Sequence, residues 1–131
     1  LRMDHEHITQ LQRVFDERHK ISLVMEYCSG GSLAEKLANL GRFSSAAAAE
    51  AICQVLKAVN YCHSRPSGAV CHRDLKLANF VYAADGKLLK LVDFGLSRVL
   101  APGGPQLLNC AGTLDFMAPE VLLRKGYNES C

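Results

Sequence analysis

Two short acidic loops, set on either side of one small hairpin, constrain this chain more than any other feature. The first is His72-Arg73-Asp74-Leu75-Lys76-Leu77-Ala78-Asn79 and the second is Asp93-Phe94-Gly95. Between them, Phe80-Val81-Tyr82 and Leu88-Leu89-Lys90-Leu91-Val92 read as strands, and Asp85-Gly86 is a strong hairpin turn signal. Both loops therefore border the same pair of strands, an arrangement suited to gathering oxygen ligands. Two acids and an amide (Asp74, Asp93 and Asn79) are hard donors of the kind Mg²⁺ takes. That ion keeps several waters and needs only one or two carboxylates beside phosphate oxygens. A separate carboxylate near an attacking hydroxyl can take its proton, and a lysine such as Lys76 can neutralise charge on a transferred phosphoryl group.

The flanking sequence reads as mixed α+β. Val14-Phe15-Asp16-Glu17 and Ile21-Ser22-Leu23-Val24-Met25-Glu26-Tyr27 are rich in β-branched and aromatic residues, and the polar Arg18-His19-Lys20 between them predicts a hairpin. Gly30-Gly31 breaks the second strand. Ser32 caps a short helix to about Leu40, which Gly41 ends. Ser44 or Ser45 opens a longer helix to about Ser64, with Ile52, Val55, Leu56, Val59 and Cys62 recurring at helical spacing. Residues 94–117 show little periodicity around Pro102-Gly103-Gly104-Pro105 and read as a long loop. Pro119 sits in the first turn of a last short helix over residues 120–124. No internal repeat is present.

Composition narrows the class. The chain has 131 residues, 49% apolar and 21% charged, the balance of a folded core. Fifteen Lys and Arg against thirteen Asp and Glu leave a net charge of +2 with no basic block, which excludes a nucleic-acid binder held by backbone charge. No apolar run approaches the roughly 20 residues of a membrane span. Six cysteines (Cys28, Cys53, Cys62, Cys71, Cys110 and Cys131) lack the density and pairing of a secreted scaffold, so a reducing compartment, cytoplasmic or nuclear, is expected. Cys62-His63 and Cys71-His72 match no usual zinc spacing. The chain opens on Leu1 and closes on Gly126-Tyr127-Asn128-Glu129-Ser130-Cys131 without a cap, the pattern expected of part of a longer protein.

Together with Leu23-Val24-Met25-Glu26-Tyr27, Tyr61-Cys62-His63-Ser64 and the run from Gly112-Thr113 to Ala118-Pro119-Glu120, these loops resemble a eukaryotic protein kinase. The resemblance is to the serine/threonine type, in the calcium/calmodulin- and calcium-dependent group. It implies a partial kinase fold: the end of the N-lobe sheet over residues 1–25, a hinge over 26–31, and the helical front half of the C-lobe over 32–131. Residues 1–5 would close the helix before that sheet. It implies that Asp74 is the catalytic base, that Lys76 steadies the transferred phosphate, and that Thr113 bonds both. Asn79 and Asp93 would hold Mg²⁺. Glu26 and Cys28 would meet the adenine of ATP through the hinge backbone, with Val81 beneath the ring and Met25 as gatekeeper. His72 and Phe94 would stack in a column between the lobes. Protein substrate and ATP are the implied partners, and calcium-linked control would lie outside this segment.

The resemblance also has gaps and departures. The glycine-rich loop and the strand lysine that pairs the ATP phosphates are absent, so these residues alone are expected to be inactive and the intact parent active. Leu77 and Ala78 replace a proline and a glutamate, and Ser32 replaces another glutamate, which removes carboxylates that would read arginine in a substrate. Asn109 occupies the place of the activating phosphothreonine that Arg73 would ordinarily bind. Residues 64–71 run one or two positions longer than is usual in such kinases, a surface insertion by expectation. Two alternatives stay open at this point: a pseudokinase scaffold, and a small-molecule phosphotransferase sharing the His72, Asp74 and Asn79 loop.

Overall fold

Strand propensity and a tight polar turn build the first element. In the computed structural model, which describes residues 3–131, Leu11–Glu17 (β1) pairs antiparallel with Lys20–Met25 (β2), Glu17 facing Lys20 across Arg18-His19. The register shifts once, between Leu11 and Arg13. Both faces of this hairpin are open, Phe15 at 49% and Ile21 at 65% exposure among them. β2 ends two residues before the sequence reading, and residues 26–31 form no regular element. The expected end of a helix over residues 1–5 is not seen in residues 3–5, which are irregular; residues 1 and 2 lie outside the described residues.

Two capped helices follow. Leu33–Leu40 (α1) starts in a reciprocal capping box: Glu35 N donates to Ser32 Oγ at 3.1 Å, and Ser32 N donates to Glu35 Oε2 at 2.7 Å. Gly41 closes it at φ 73°, a left-handed turn that glycine enters without strain. Ser45–His63 (α2) is capped by Ser44, whose Oγ accepts from Ala47 N at 3.2 Å. The face that α2 buries differs from the sequence reading. Ala51, Ala58 and Cys62 are buried, with Val55 partly so, whereas Ile52 and Leu56 point outward. Small side chains let the helix lie close to the strand beneath it, so the alanines, rather than the larger residues, face inward.

The rest of the chain forms two more antiparallel pairs. Ala69–Cys71 (β3) pairs with Arg98–Leu100 (β6), and Phe80–Tyr82 (β4) pairs with Leu89–Leu91 (β5). β6 corrects the reading of residues 94–117 as a continuous loop. Its signal is three residues long, too short for periodicity to show. β3 likewise corrects the surface insertion expected over 64–71: Pro66 and Ser67 are exposed, but Val70 and Cys71 are buried. Pro119–Leu122 (α3) begins at its proline as expected and ends earlier. The core gathers Ile8, Leu33, Ala58, Cys62, Phe80 and Leu91 around β4 and β5. Residues 7–9 run beside β5, with Thr9 N donating to Leu91 O at 3.1 Å and Leu91 N to His7 O at 2.9 Å.

One charge lies inside this core region. Lys90, on β5, is 7% exposed, and its Nζ stands 3.0 Å from each Glu26 oxygen. A buried ammonium needs such a partner, because removing one member leaves the other uncompensated. The carboxylate is better placed to rehydrate, its side chain being 30% exposed against 9% for the lysine. Glu26→Gln is therefore expected to cost about 2–3 kcal/mol and Lys90→Met less than about 1 kcal/mol. Urea unfolding of the two variants checks the asymmetry, and equal losses would contradict it.

Candidate active site

The loop between β3 and β4 is fixed first at His72. Its ring is 3% exposed, and Asp74 N donates to Nδ1 at 3.2 Å, so the proton sits on Nε2, which donates to Val92 O at 3.0 Å. Burial lowers the imidazole's pKa, outweighing the bond to Val92, and keeps it neutral. Phe94 stands edge-on to the ring at 4.9 Å, so the expected stacking of these two residues is present as a contact. Val92 is held at both ends, because its N–H donates to Asn79 O at 2.9 Å. Asp93 therefore leaves β5 directly beside the His72–Asn79 loop. Arg73 and Asp93 both carry positive φ, 70° and 60°, strained backbone for residues with side chains.

Asp74, Lys76, Asn79 and Thr113 converge on one another. Asp74 Oδ1 accepts from Thr113 Oγ1 at 2.6 Å, and Oδ2 lies 2.9 Å from Lys76 Nζ and accepts from Asn79 Nδ2 at 3.0 Å. Lys76 Nζ also donates to Thr113 Oγ1 at 2.8 Å. Burial alone would raise the Asp74 pKa, but the bonds from Thr113, Lys76 and Asn79 prevail and bring it down to about 2. The carboxylate is thus 8% exposed yet ionised. Thr113 reaches it because Gly112, at φ 125°, crosses the Arg73 carbonyl so closely that a Cβ there would overlap the oxygen.

Asn79 and Asp93 offer the donor chemistry expected of them. Asn79 Nδ2 donates to both the Asp74 carbonyl and its carboxylate, which leaves Oδ1 without a hydrogen bond among the described residues. Asp93 Oδ1 accepts from Gly95 N at 3.2 Å, and Oδ2 is likewise free among them. Both are hard oxygens, and they fit a divalent cation held mainly by waters and phosphate.

Of the residues expected around adenine, Met25 ends β2 and Val81 lies on β4, while Glu26 and Cys28 sit in the irregular stretch that follows β2. Gly30 N donates to Tyr82 O at 2.9 Å and Tyr82 N to Gly31 O at 2.8 Å, which seats residues 30–32 against β4 beside Val81. The glycine pair thus permits close approach as well as breaking the chain: a Cβ on Gly30 would overlap the Ala83 carbonyl. The Glu26 side chain turns to Lys90, and its N–H donates to Gln10 O at 2.8 Å. Burial, and then the Glu26 charge, push the Cys28 thiol pKa up, which disfavours a reactive thiolate. Two residues at the site escaped the sequence reading. Lys90 was signalled by a charge inside an apolar strand. Tyr127, whose hydroxyl lies 3.3 Å from Arg73 Nη1, carried no local signal.

The protein kinase domain family matches the chain over residues 1–131. Sperm motility kinase 2B of Mus musculus is 41% identical over 125 residues, which are 95% of this chain and 25% of that protein. CBL-interacting serine/threonine-protein kinase 8 of Arabidopsis thaliana is 40% identical over 124 residues, 95% of this chain and 27% of that protein. A probable myosin light chain kinase of Dictyostelium discoideum is 37% identical over 132 residues, 98% of this chain and 33% of that protein. The chain thus spans about a quarter to a third of the length of these relatives.

The low Asp74 pKa has a consequence for stability. A carboxyl group whose folded pKa lies below its unfolded value stabilises the fold at neutral pH and stops doing so as pH falls through the folded value. With the unfolded value at 3.8 and the folded one at about 2, the contribution is complete above about pH 5 and fades from about pH 4 downward. The melting-temperature gap between wild type and Asp74→Asn should therefore be widest near pH 7 and narrow toward pH 3. A gap constant across that range would contradict the assignment.

Proposed function

This chain belongs to the protein kinase family, and from that premise we propose that its full-length parent transfers the terminal phosphoryl group of ATP to serine and threonine hydroxyls of proteins. The observation that carries the reading is the Asp74 carboxylate, nearly buried and held ionised by Thr113, Lys76 and Asn79. A carboxylate of such low basicity orients a substrate hydroxyl by accepting its hydrogen bond. It takes the proton only when bond formation to phosphorus has made that hydroxyl acidic. Lys76 shares its ammonium between Asp74 and Thr113, where it is placed to steady a phosphoryl oxygen during transfer. Asn79 Oδ1 and Asp93 Oδ2 are the groups that would hold Mg²⁺, whose chemistry is to bridge ATP phosphates and neutralise developing charge.

Lys76, two residues past the base, favours serine and threonine over tyrosine as acceptors. The Thr113 contact to Asp74 ties the Gly112-to-Glu120 run to the base, which favours a protein acceptor over a small molecule. With Ser32 spent on capping α1, and Leu77 and Ala78 carrying no charge, the parent is expected to show little preference for arginine near the target hydroxyl.

Assays on the full-length protein test this. Asp74→Asn should lower kcat by about 10²–10⁴-fold with ATP binding unchanged. Asp93→Ala should weaken Mg²⁺-dependent ATP binding itself by about tenfold or more. Full phosphotransfer by either variant would remove the mechanism.

A further inference from the structure

Arg73, next to the base, makes its contacts without any acidic partner among the described residues. Its Nε donates to Leu96 O at 2.6 Å, and its Nη1 donates to the Tyr127 hydroxyl at 3.3 Å. That hydroxyl donates onward to Asn109 O at 2.6 Å. Tyr127 is 3% exposed, and its own backbone pairs with Leu107 in both directions, at 2.8 and 3.0 Å. The segment carrying Asn109 is thus joined to the catalytic loop through one buried phenol. Three residues further on, Gly112 crosses the Arg73 carbonyl and delivers Thr113 to Asp74.

The same stretch offers no free hydroxyl to modify. Between Asp93 and Glu120 the only hydroxyl side chains are Ser97 and Thr113. Ser97 Oγ is fully buried, and Thr113 Oγ1 is committed to Asp74 and Lys76. A phosphate on Thr113 would add negative charge against the base it now supports.

We propose that Tyr127 is a positioning residue that holds residues 107–113 against Arg73 in place of a phosphate, so that the parent kinase is active without phosphorylation of residues 93–120. The inference rests on the kinase reading above and deepens it, by naming how that same site is kept assembled. A neutral hydroxyl here relays one charge-assisted bond from the guanidinium to a backbone carbonyl. Losing it leaves the fold's core untouched but frees Arg73 from the segment.

The test uses full-length protein treated with phosphatase, with mass spectrometry showing residues 93–120 unmodified. Its kcat is expected within about threefold of untreated protein. Tyr127→Phe in the treated protein should lower kcat by about tenfold, with the KM for ATP unchanged and the protein still fully folded at the assay temperature despite the modest stability lost with the hydroxyl's two bonds. Activity that vanishes on treatment and returns when residues 93–120 are phosphorylated again overturns the inference while leaving the kinase reading intact. An unchanged kcat in Tyr127→Phe, or a loss of kcat matched by an equal loss of folded protein at the assay temperature, also overturns it. If neither treated nor untreated protein shows transfer that depends on Asp74, the kinase reading itself fails and takes the inference with it.

Discussion

A carboxylate almost out of water has to be surrounded by donors, and most of the arrangement of residues 72–113 answers that demand. Asp74 is buried at the point where three parts of the chain meet, and each part brings one donor: Lys76 from its own loop, Asn79 from the turn before β4, and Thr113 from far along the sequence. The cost of burying the charge is met only when all three are present. Gly112 belongs to the same account. Its left-handed backbone and missing side chain have no packing purpose; they let Thr113 pass over Arg73 to the carboxylate.

The second electrostatic pair works at longer range. Glu26 follows directly on β2, and Lys90 sits in the middle of β5, two residues before Val92. Their bond ties residues 26–32, the segment proposed to meet adenine, to the strand that leads to Asp93. Because Val92 is fixed by Asn79 on one side and His72 on the other, the placement of residues 26–32 and that of the Asp93 carboxylate are set by the same strand. A displacement of β5 would move both ends of the proposed nucleotide site at once.

Much of this was legible in the sequence, for physical reasons that differ by element. α1, α2 and the β4–β5 hairpin announce themselves locally through Ser32, Ser44 and Asp85-Gly86, whose side chains or backbone satisfy groups within three residues. Asp74, Lys76, Asn79 and Asp93 lie in short loops around one hairpin, so their gathering follows from chain order. The failures are all matters of long-range partnership. β3 and β6 are three residues each and exist because they pair with each other. The inward face of α2 is set by what it lies against, which periodicity alone does not reveal, and so Ile52 and Leu56 were placed inside when they are outside. Tyr127 looks like any tyrosine near a turn until Arg73 and Asn109 stand on either side of its hydroxyl.

The site and the apolar surface are therefore distributed differently over the chain. Every side chain that bonds the Asp74 carboxylate lies between Asp74 and Thr113, and the supports for that network run from His72 to Tyr127. The β1–β2 hairpin lies outside that span. Val14, Phe15, Ile21 and Leu23 are strand residues by propensity, but each is about half exposed or more, and a two-stranded ribbon bare on both faces is marginal in water. What steadies it here is its attachment at one end: Gln10 and Glu26 pair through the backbone, and Glu26 bonds Lys90. Removing that ion pair would loosen the hairpin without touching the donors around Asp74. On the proposed reading, nucleotide placement and the chemistry of the transfer are thus held by separable sets of interactions, with β5 as the element that belongs to both.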